Sequence, residues 1–216
     1  DFGDEERKAI EDLISDKEPQ LTLGKKVYEF ERKFAEWLGS KYAVMVNSGT
    51  SALIVAVEAY NQRVGHGPLT TTALTYTADW NALKITQTPY EIQDVEDDFV
   101  IHGNSSTDCL AVHLLGKPCR GNAIIEDTSE ALGSEINGRK LGTFGILSTF
   151  SFYVAHQINT IEGGMVATND DKIYEICRSL RDNGRTCTCP VCTLKSIGVC
   201  SKRQKEALTF ERRWET

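Results

Sequence analysis

Two segments near the start of the chain, DEERKAIEDLI and YEFERKFAEWLG, place apolar residues three and four positions apart. This period predicts two amphipathic helices, with Gly39 available to end the second. The spacing of the apolar residues then changes in KYAVMVNSGTSALIVAVEAY. This segment predicts a buried strand from Tyr42 to Val46, a turn from Asn47 to Thr50, and a helix from Ser51 to Tyr60. A strand, a turn of small residues and a helix N-terminus therefore follow one another directly.

The remainder of the chain alternates in the same way. A threonine-rich stretch from Leu69 to Tyr76 is predicted to be extended, and a short helix follows from Asp79. Short apolar or β-branched runs then predict further strands, namely Pro89 to Val95, CLAVHLLG, NAIIED, STFSFYV and GGMVATND. Strands that alternate with helices indicate an α/β domain with a mostly parallel sheet.

Composition narrows the classes of partner. The 216 residues are 40% hydrophobic and carry a formal net charge of -7, so nothing favours binding to nucleic acid or to an anionic membrane surface. No apolar run approaches the roughly 18 residues that a membrane span needs, and the first residues lack a basic-then-apolar signal region. We expect a cytoplasmic protein that binds small molecules or other proteins.

The turn after the first predicted strand is a candidate phosphate site. Its residues, Asn47-Ser48-Gly49-Thr50-Ser51, combine hydroxyl groups and a glycine with an incoming helix, whose free N–H groups and positive dipole end suit an anion. The alternative is an ordinary helix N-cap, for which serine and threonine are common.

Three further positions are candidates for ligand chemistry. Glu126-Asp127 closes the apolar strand NAII, at the end of a parallel strand where α/β sheets bind ligands. A carboxylate there suits a cationic ring nitrogen, or caps a helix in a loop. Tyr76 is either a surface on which a ring stacks or part of the core, and His156, in SFYVAHQINTIEGG, is either a functional or a structural histidine.

Taken in order, these motifs resemble the sugar aminotransferase and dehydratase family of fold type I pyridoxal-phosphate proteins. The resemblance runs from FERKFAEWLGSKYAVMVNSGTSAL, through ALTY, AVHLLGKP and IIEDTSEALGS, to GRKLGTFGILSTFSFYVAHQINTIEGGMVATND. It implies a large domain whose sheet is sandwiched by helices. It also implies a phosphate site at Ser48, Gly49, Thr50 and Ser151, ring stacking on Tyr76, pairing of the ring nitrogen with Asp127, and a ring neighbour at Glu130.

Most members of that family keep a lysine where this chain has His156. An imidazole cannot form the Schiff base, so the resemblance implies a cofactor held without a covalent bond. The same exchange is found in the branch that removes the C3 hydroxyl from nucleotide-linked 4-keto-6-deoxyhexoses with the pyridoxamine form, in deoxysugar and lipopolysaccharide biosynthesis. Histidine suits removal of a proton near neutral pH, which makes His156 the predicted catalytic base.

A cysteine cluster near the end is similar to the segment that holds a [2Fe-2S] cluster in the CDP-linked 3-dehydratases. Its members are Cys187, Cys189, Cys192 and Cys200. Iron-sulfur, structural zinc and free thiols remain alternatives. Ser129 stands where the family has the first cluster ligand. An iron-sulfur site would imply a flavin and iron-sulfur reductase as partner, besides a nucleotide-sugar substrate and a second copy of the chain in a homodimer.

The chain is also shorter than the family pattern. It lacks room for a helix between His113 and Glu126 and is short between Asp94 and Cys109. We expect the family's C-terminal small domain to be absent or truncated, either because segments have been deleted or because the sequence is an incomplete record of a longer chain. We expect a cofactor-binding large domain over residues 1–180 and a cysteine-rich segment over 181–216. Two other hypotheses stay open: an aminotransferase that uses another lysine, and a non-catalytic fragment or metal-stapled scaffold.

Overall fold

A computed structural model describes residues 3–17, 19, 21–100, 108–120 and 122–185. The five helices of this part are α1 Asp4–Ile14, α2 Lys25–Leu38, α3 Gly49–Val64, α4 Thr77–Ile85 and α5 Asp171–Arg181. Its strands are β1 Tyr42–Val46, β2 Leu69–Thr72, β3 Tyr90–Gln93, β4 Cys109–Val112, β5 Ala123–Asp127, β6 Glu135–Ile136, β7 Arg139–Lys140, β8 Leu147–Ser151 and β9 Gly164–Thr168. The predicted boundary near residue 180 stays a prediction, because 186–216 lie outside the described residues.

Seven strands form one sheet in the order β1-β9-β8-β5-β4-β2-β3. The pairs from β3 through β2, β4 and β5 to β8 are parallel, whereas β9 runs antiparallel to both of its neighbours, β8 and β1. The predicted α/β class with a mostly parallel sheet is confirmed. As a result, the carboxyl ends of six strands lie at one edge of the sheet, which is where α/β proteins place their sites.

Helices cover both faces of this sheet, and the alternation along the strands shows why. Val44 and Val166 face α3, α4 and α5 in the larger core, whereas their neighbours Ala43 and Met165 face α2 in a second core. Phe150 of β8 packs edge-to-face on Phe34 of α2, with ring centroids 4.9 Å apart. Because strand side chains alternate between faces, a single strand contributes to both cores.

Several boundaries differ from those predicted. Helix α2 ends as expected, with Gly39 in the left-handed conformation at φ 87°. Strand β2 stops at Thr72 and α4 begins at Thr77, two residues before the predicted start. Helix α5 and the hairpin of β6 and β7 were not predicted. The signal for α5 is nevertheless present, since the Asp170 carboxylate caps it by accepting from the amides of Lys172 and Ile173.

The connection from β4 to β5 contains no α-helix in its described residues, 113–120 and 122. It holds a single 3-10 turn at Leu114–Gly116, in which Leu115 takes a positive φ of 53°. Parallel neighbours usually need a helical crossover, so this link is unusually short. Cys109 and Ala111 of β4 pack against Cys119 of the connection. The shortening expected between His113 and Glu126 is therefore present, and the connection itself covers this part of the sheet.

None of the helices in the described part of the chain has the length and apolar character that a membrane crossing requires.

Candidate active site

A cavity of about 340 Å³ opens at the carboxyl ends of the strands, a volume in the range of small-molecule sites. All eight residues predicted from the sequence for catalysis and cofactor binding line it: Ser48, Gly49, Thr50, Tyr76, Asp127, Glu130, Ser151 and His156. They come from the turn between β1 and α3, the start of α3, the residue before α4, the end of β5 and the turn after it, the end of β8, and the loop after β8. The fold therefore brings together positions that are more than 100 residues apart in the sequence.

The Ser48 turn acts as a helix cap and also faces the cavity. Ser48 Oγ accepts a hydrogen bond from the Ser51 amide at 3.1 Å and lies 3.1 Å from Ser51 Oγ. The capping alternative is thus realised in the structure. The cap leaves the amides of Gly49 and Thr50, the first two residues of α3, at the positive end of a 16-residue helix. Both residues line the cavity, so the two interpretations of this turn are compatible.

The turn is held by close backbone packing. A Cβ atom on Gly49 would lie 2.6 Å from Ser151 Cβ, and one on Gly164 would lie 2.2 Å from the carbonyl oxygen of Ser48. Neither distance is compatible with a side chain. The two glycines therefore let the turn approach the ends of β8 and β9, and this places Ser151 beside the amides of α3.

Asp127 ends β5 and is 8% exposed at the floor of the cavity. Its Oδ1 accepts from the Ser129 amide at 3.0 Å, from Ser129 Oγ at 2.6 Å and from Thr149 Oγ1 at 3.4 Å. Burial raises the pKa of this carboxyl, and these hydrogen bonds oppose the rise. The alternative of a helix cap is wrong, because turns follow Asp127 and no helix begins before α5 in the described residues.

The adjacent Glu126 points away from the cavity and is fully buried. Its carboxylate accepts from the amides of Gly142, Phe144 and Gly145 at 2.6 to 2.8 Å, and its Oε2 lies 2.8 Å from His113 Nε2. Burial alone would raise the pKa of Glu126, but the hydrogen bonds of His113 and of the loop amides hold it below 4.5. Glu126 therefore fixes the loop before β8.

The tautomer of His113 follows from its two partners. Its Nδ1 accepts from the Cys119 amide at 3.1 Å, so Nε2 carries the hydrogen and donates to Glu126. His113 also lines the cavity. The short β4 to β5 connection is in this way tied to the floor of the site. His113 was not predicted to belong to the site, although AVHLLG marks a polar residue directly after a buried strand.

Asp79 is a second residue that the sequence analysis did not assign to the site. It is fully buried in the first turn of α4, lines the cavity, and accepts from Thr75 Oγ1 at 2.7 Å. Burial, together with the charge of the nearby Asp127, raises the pKa of Asp79 well above 3.8. An acidic residue three positions after Tyr76 looks in the sequence like an ordinary helix start.

The rim of the cavity is exposed, in contrast to its floor. Tyr76 precedes α4 and is 77% exposed, so the alternative of a core residue is wrong. Glu130 is exposed too, and its Oε2 accepts from the Leu115 amide at 3.1 Å. Its carbonyl oxygen accepts from Gln157 Nε2 at 3.0 Å, which joins this side of the rim to the loop that carries His156.

His156 lies in the loop after β8, half-buried, with its ring lining the same cavity as Asp127 and the Ser48 turn. Its amide donates to the Tyr153 carbonyl at 3.0 Å in a tight turn, and the two rings meet edge-on with centroids 6.4 Å apart. Neither nitrogen of the ring takes part in a hydrogen bond among those found in the described residues. Glu162, which follows in the same loop, also lines the cavity.

Charge inside the cavity is unevenly distributed. Its acidic residues are Asp79, Asp127, Glu130 and Glu162, and its basic side chains are the imidazoles of His113 and His156. In the part of the chain that the structure describes, no lysine or arginine lines it. No amine is thus available there for a covalent bond to an aldehyde.

The four cysteines proposed as metal ligands, Cys187, Cys189, Cys192 and Cys200, lie outside the described residues. Within the described ranges no group of His, Cys, Asp or Glu side chains is placed to hold a metal ion. Ser129, at the position of the family's first cluster ligand, donates its hydroxyl to Asp127 instead. Neither an iron-sulfur cluster nor zinc finds support, and the reductase partner that depended on a cluster has none either.

Comparison with known proteins identifies the family. The family model of the DegT/DnrJ/EryC1/StrS aminotransferases matches residues 1–195. The chain belongs to the DegT/DnrJ/EryC1/StrS aminotransferase family. GDP-perosamine synthase of Escherichia coli O157:H7 is 37% identical to it over 74% of this chain and 50% of the relative. GDP-4-keto-6-deoxy-D-mannose 3-dehydratase of Escherichia coli O55:H7 is 32% identical over 95% of this chain and 58% of the relative.

Solved structures agree with this assignment to the DegT/DnrJ/EryC1/StrS family. The Escherichia coli GDP-4-keto-6-deoxy-D-mannose 3-dehydratase with bound hydrated PLP superposes with a TM-score of 0.74 at 30% identity. The superposition covers 85% of this chain and 53% of that one. The predicted fold type I large domain is therefore confirmed, and the chain spans little more than half the length of these relatives.

The residues of the cavity fit a phosphorylated, cationic aromatic ligand. The turn at Ser48 and the hydroxyl of Ser151 lie together at the N-terminus of α3, where an anion is stabilised. The Asp127 carboxylate offers a negative charge at the floor, and Tyr76 offers an exposed ring at the rim. A phosphate could bind at the Ser48 turn and Ser151, a ring face could stack on Tyr76, and a cationic ring nitrogen could pair with Asp127.

Proposed function

We propose that this chain is the cofactor-binding part of a pyridoxal- or pyridoxamine-phosphate enzyme that modifies nucleotide-linked sugars, and that its reaction is dehydration at C3 of a 4-keto-6-deoxyhexose. One observation carries the proposal. His156 lines a cavity with Asp127 and the Ser48 turn, and no lysine lines that cavity in the described residues. The relation to a GDP-4-keto-6-deoxy-D-mannose 3-dehydratase supports it.

In this proposal the chain holds the cofactor without a covalent bond. The amides and hydroxyls at Ser48, Gly49, Thr50 and Ser151 bind the phosphate, and Asp127 pairs with the ring nitrogen. Tyr76 covers one face of the ring, and Glu130 lies near it. When bound, the cofactor supplies an amine that condenses with a ketone and a ring that accepts electrons. Burial of Asp127 strengthens its pairing with a positive charge, because water competes less.

His156 is the proposed proton acceptor. Histidine changes charge near neutral pH and is therefore suited to accept a proton and to return it to a leaving hydroxyl. Its position at the rim, on a loop fixed by the Tyr153 turn and by the contact of Gln157 with Glu130, faces its ring toward the cavity. Departure of the C3 hydroxyl as water needs such a proton.

A second candidate is an aminotransferase reaction, which the 37% identity to a GDP-perosamine synthase favours. That reaction requires an amine that forms a covalent bond with the cofactor in the resting enzyme. Within the described residues the cavity offers none, so the lysine would have to come from elsewhere. The two candidates therefore differ in a property that can be measured directly.

We also propose a homodimer. Large apolar side chains are exposed around the cavity mouth, where an isolated chain gains nothing from them. They are Tyr76, Leu115, Tyr153, Val154, Ile158 and Ile161, which are between 44% and 77% exposed. A second copy that covers this rim would exclude water from the cavity.

The test is reduction with borohydride after addition of pyridoxal phosphate, followed by peptide mass spectrometry. We expect a cofactor absorbance in the wild type without a covalent adduct, and an adduct at position 156 in His156→Lys. The His156→Asn variant is the matched control that lacks both base and amine. An adduct on a lysine of the wild type would overturn the dehydratase proposal in favour of the aminotransferase.

Turnover separates binding from chemistry. With pyridoxamine phosphate and a nucleotide-linked 4-keto-6-deoxyhexose, the wild type should release a sugar in which hydrogen replaces the C3 hydroxyl, together with ammonia and pyridoxal phosphate. Mass spectrometry should therefore show the loss of one oxygen atom, because the water lost in the elimination is offset by the water that hydrolyses the product from the cofactor. His156→Asn should reduce that rate by about 100-fold or more, the usual contribution of a general base. An undiminished rate in this variant would remove His156 from the mechanism.

A further inference from the structure

Two buried carboxyl groups meet at the cavity floor from different elements. Asp79 comes from the first turn of α4 and Asp127 from the end of β5, both line the cavity, and the charge of Asp127 acts on the Asp79 carboxyl. Asp79 Oδ2 accepts from Thr75 Oγ1 at 2.7 Å, whereas its Oδ1 has no donor in the described residues. One oxygen of a fully buried carboxyl therefore lacks the partner that an ionised group would require.

Two neighbouring carboxylates disfavour each other's ionisation in a buried site, so we infer that the pair retains one proton. The donors around each group decide where it resides. Asp127 accepts three hydrogen bonds, two from Ser129 and one from Thr149, and these stabilise its negative charge. Asp79 accepts one from a neighbouring side chain. The pKa of both groups is raised by burial, and that of Asp79 is raised further by the charge of Asp127.

We propose that Asp79 is a positioning residue that stays protonated and donates its carboxyl hydrogen to Asp127, so that the negative charge of the pair lies on the carboxylate that faces the ring nitrogen. The donated hydrogen also fixes the orientation of the Asp127 carboxyl. This inference rests on the proposed function, because it assumes that Asp127 pairs with the cationic ring of the cofactor. In this proposal Asp79 does not itself contact the cofactor.

A purely structural role for Asp79 is the competing explanation. Asp79 is the third residue of α4, where an ionised acid is stabilised by the helix dipole. In that role the group would be charged at neutral pH and would add the same stability throughout the neutral range. The proposed role therefore predicts that the contribution of Asp79 to stability falls as the pH rises, whereas the helix-start role predicts a contribution that does not change in the neutral range.

The other titratable side chains near the pair must be held constant in the comparison. They come from the strand ends, the α4 start and the loops around the cavity, and they are Tyr76, His113, Glu130, Tyr153, His156 and Glu162. The isosteric change Asp79→Asn leaves each of them in place. Comparing this variant with the wild type therefore isolates the proton of Asp79.

The first experiment measures the urea unfolding equilibrium of the cofactor-free protein between pH 4 and pH 8. A group whose folded pKa is raised contributes stability below its unfolded value, here 3.8, and loses that contribution as the pH rises through the folded value. The unfolding constant of the wild type relative to Asp79→Asn should therefore rise about tenfold or more over this range. A ratio that does not change with pH would overturn the proposal and leave the helix-start role.

A double-mutant cycle shows whether the effect belongs to the pair. If Asp79 gives its hydrogen to Asp127, the pH dependence should shrink when Asp127→Asn is the background. Equal pH dependence of the Asp79→Asn effect in both backgrounds would show that Asp79 is protonated by burial alone, and would overturn its role in positioning Asp127.

The second experiment measures binding of pyridoxal phosphate by absorbance. Asp79→Ala should weaken binding about tenfold because Asp127 loses its donor, whereas Asp79→Asn, whose amide still donates, should restore affinity to within about threefold of the wild type. Equal affinity in Asp79→Ala and the wild type would overturn the positioning role. If the wild type itself binds no cofactor, the proposed function fails, whereas the unfolding experiment still decides the state of Asp79.

Discussion

The floor and the rim of the cavity are built on different physical principles. The floor consists of Asp79, His113 and Asp127 and is supported by Glu126, which points away from the cavity and lies 2.8 Å from His113. These four residues are between 0% and 8% exposed. The rim, around Tyr76 and His156, is carried by loops and exposes large apolar side chains. The floor is thus completed by the folding of this chain alone, whereas the rim presents surface that a second molecule can cover.

The largest effect is expected at Glu126. Its replacement by Ala leaves three backbone amides and the His113 ring without an acceptor in a buried site. We expect the free energy of unfolding in urea to fall by about 3 to 5 kcal/mol. Glu162→Ala at the rim is the control and should change it by less than about 0.5 kcal/mol. Similar losses at both positions would contradict the distinction between floor and rim.

The dependence of stability on pH gives a second test of Glu126. Because hydrogen bonds hold its folded pKa below 4.5, its contribution to stability is present above that pH and is lost as the pH falls through the folded value. The Glu126→Gln variant should therefore lose less stability than the wild type between pH 5 and pH 3, as followed by circular dichroism during urea unfolding. Parallel losses in the two proteins would show that Glu126 is not ionised in the fold.

The next largest effect concerns the glycine behind the Ser48 turn. Gly164→Ala would place a Cβ atom 2.2 Å from the Ser48 carbonyl oxygen, which is a backbone atom that cannot rotate away. We expect a loss of about 1 to 3 kcal/mol in thermal or urea unfolding. Gly67→Ala is the control, because no atom lies within 4 Å of the added carbon. Equal stability of the two variants would show that β9 and the turn can separate at little cost.

The smallest effect on stability, and a larger one on binding, is expected at Tyr76. Since the ring is 77% exposed, Tyr76→Ala should alter the free energy of unfolding by less than about 0.5 kcal/mol. Loss of ring stacking should weaken binding of pyridoxal phosphate by about 3- to 10-fold. Tyr76→Phe, which keeps the ring, serves as control. A folding defect in Tyr76→Ala would show that Tyr76 contributes to the stability of the fold, as the floor residues do.

The main strands could be predicted because their signals are local, whereas Ser151 and Glu130 were assigned to the site only through the family resemblance. A β-branched run followed by polar residues marks the ends of β1, β5 and β8 without reference to the rest of the chain. The role of Asp79 was not predictable, because its partner, Asp127, comes from another strand. Glu126 and Asp127 lie on opposite faces of β5, so that one fixes the loop before β8 and the other lines the cavity. The alternation of side chains along a strand does not show which of the two faces the cavity.

In the described residues, strand β1 pairs only with β9, with Val46 opposite Gly164. The Ser48 turn therefore lacks this support until Gly164 and the rest of β9 have left the ribosome. A nascent chain that ends before Gly164 would expose β1 and the first core helices, and would depend on chaperones at that stage. Contacts between such distant positions also favour slow folding, so assembly of the floor should be a late kinetic event.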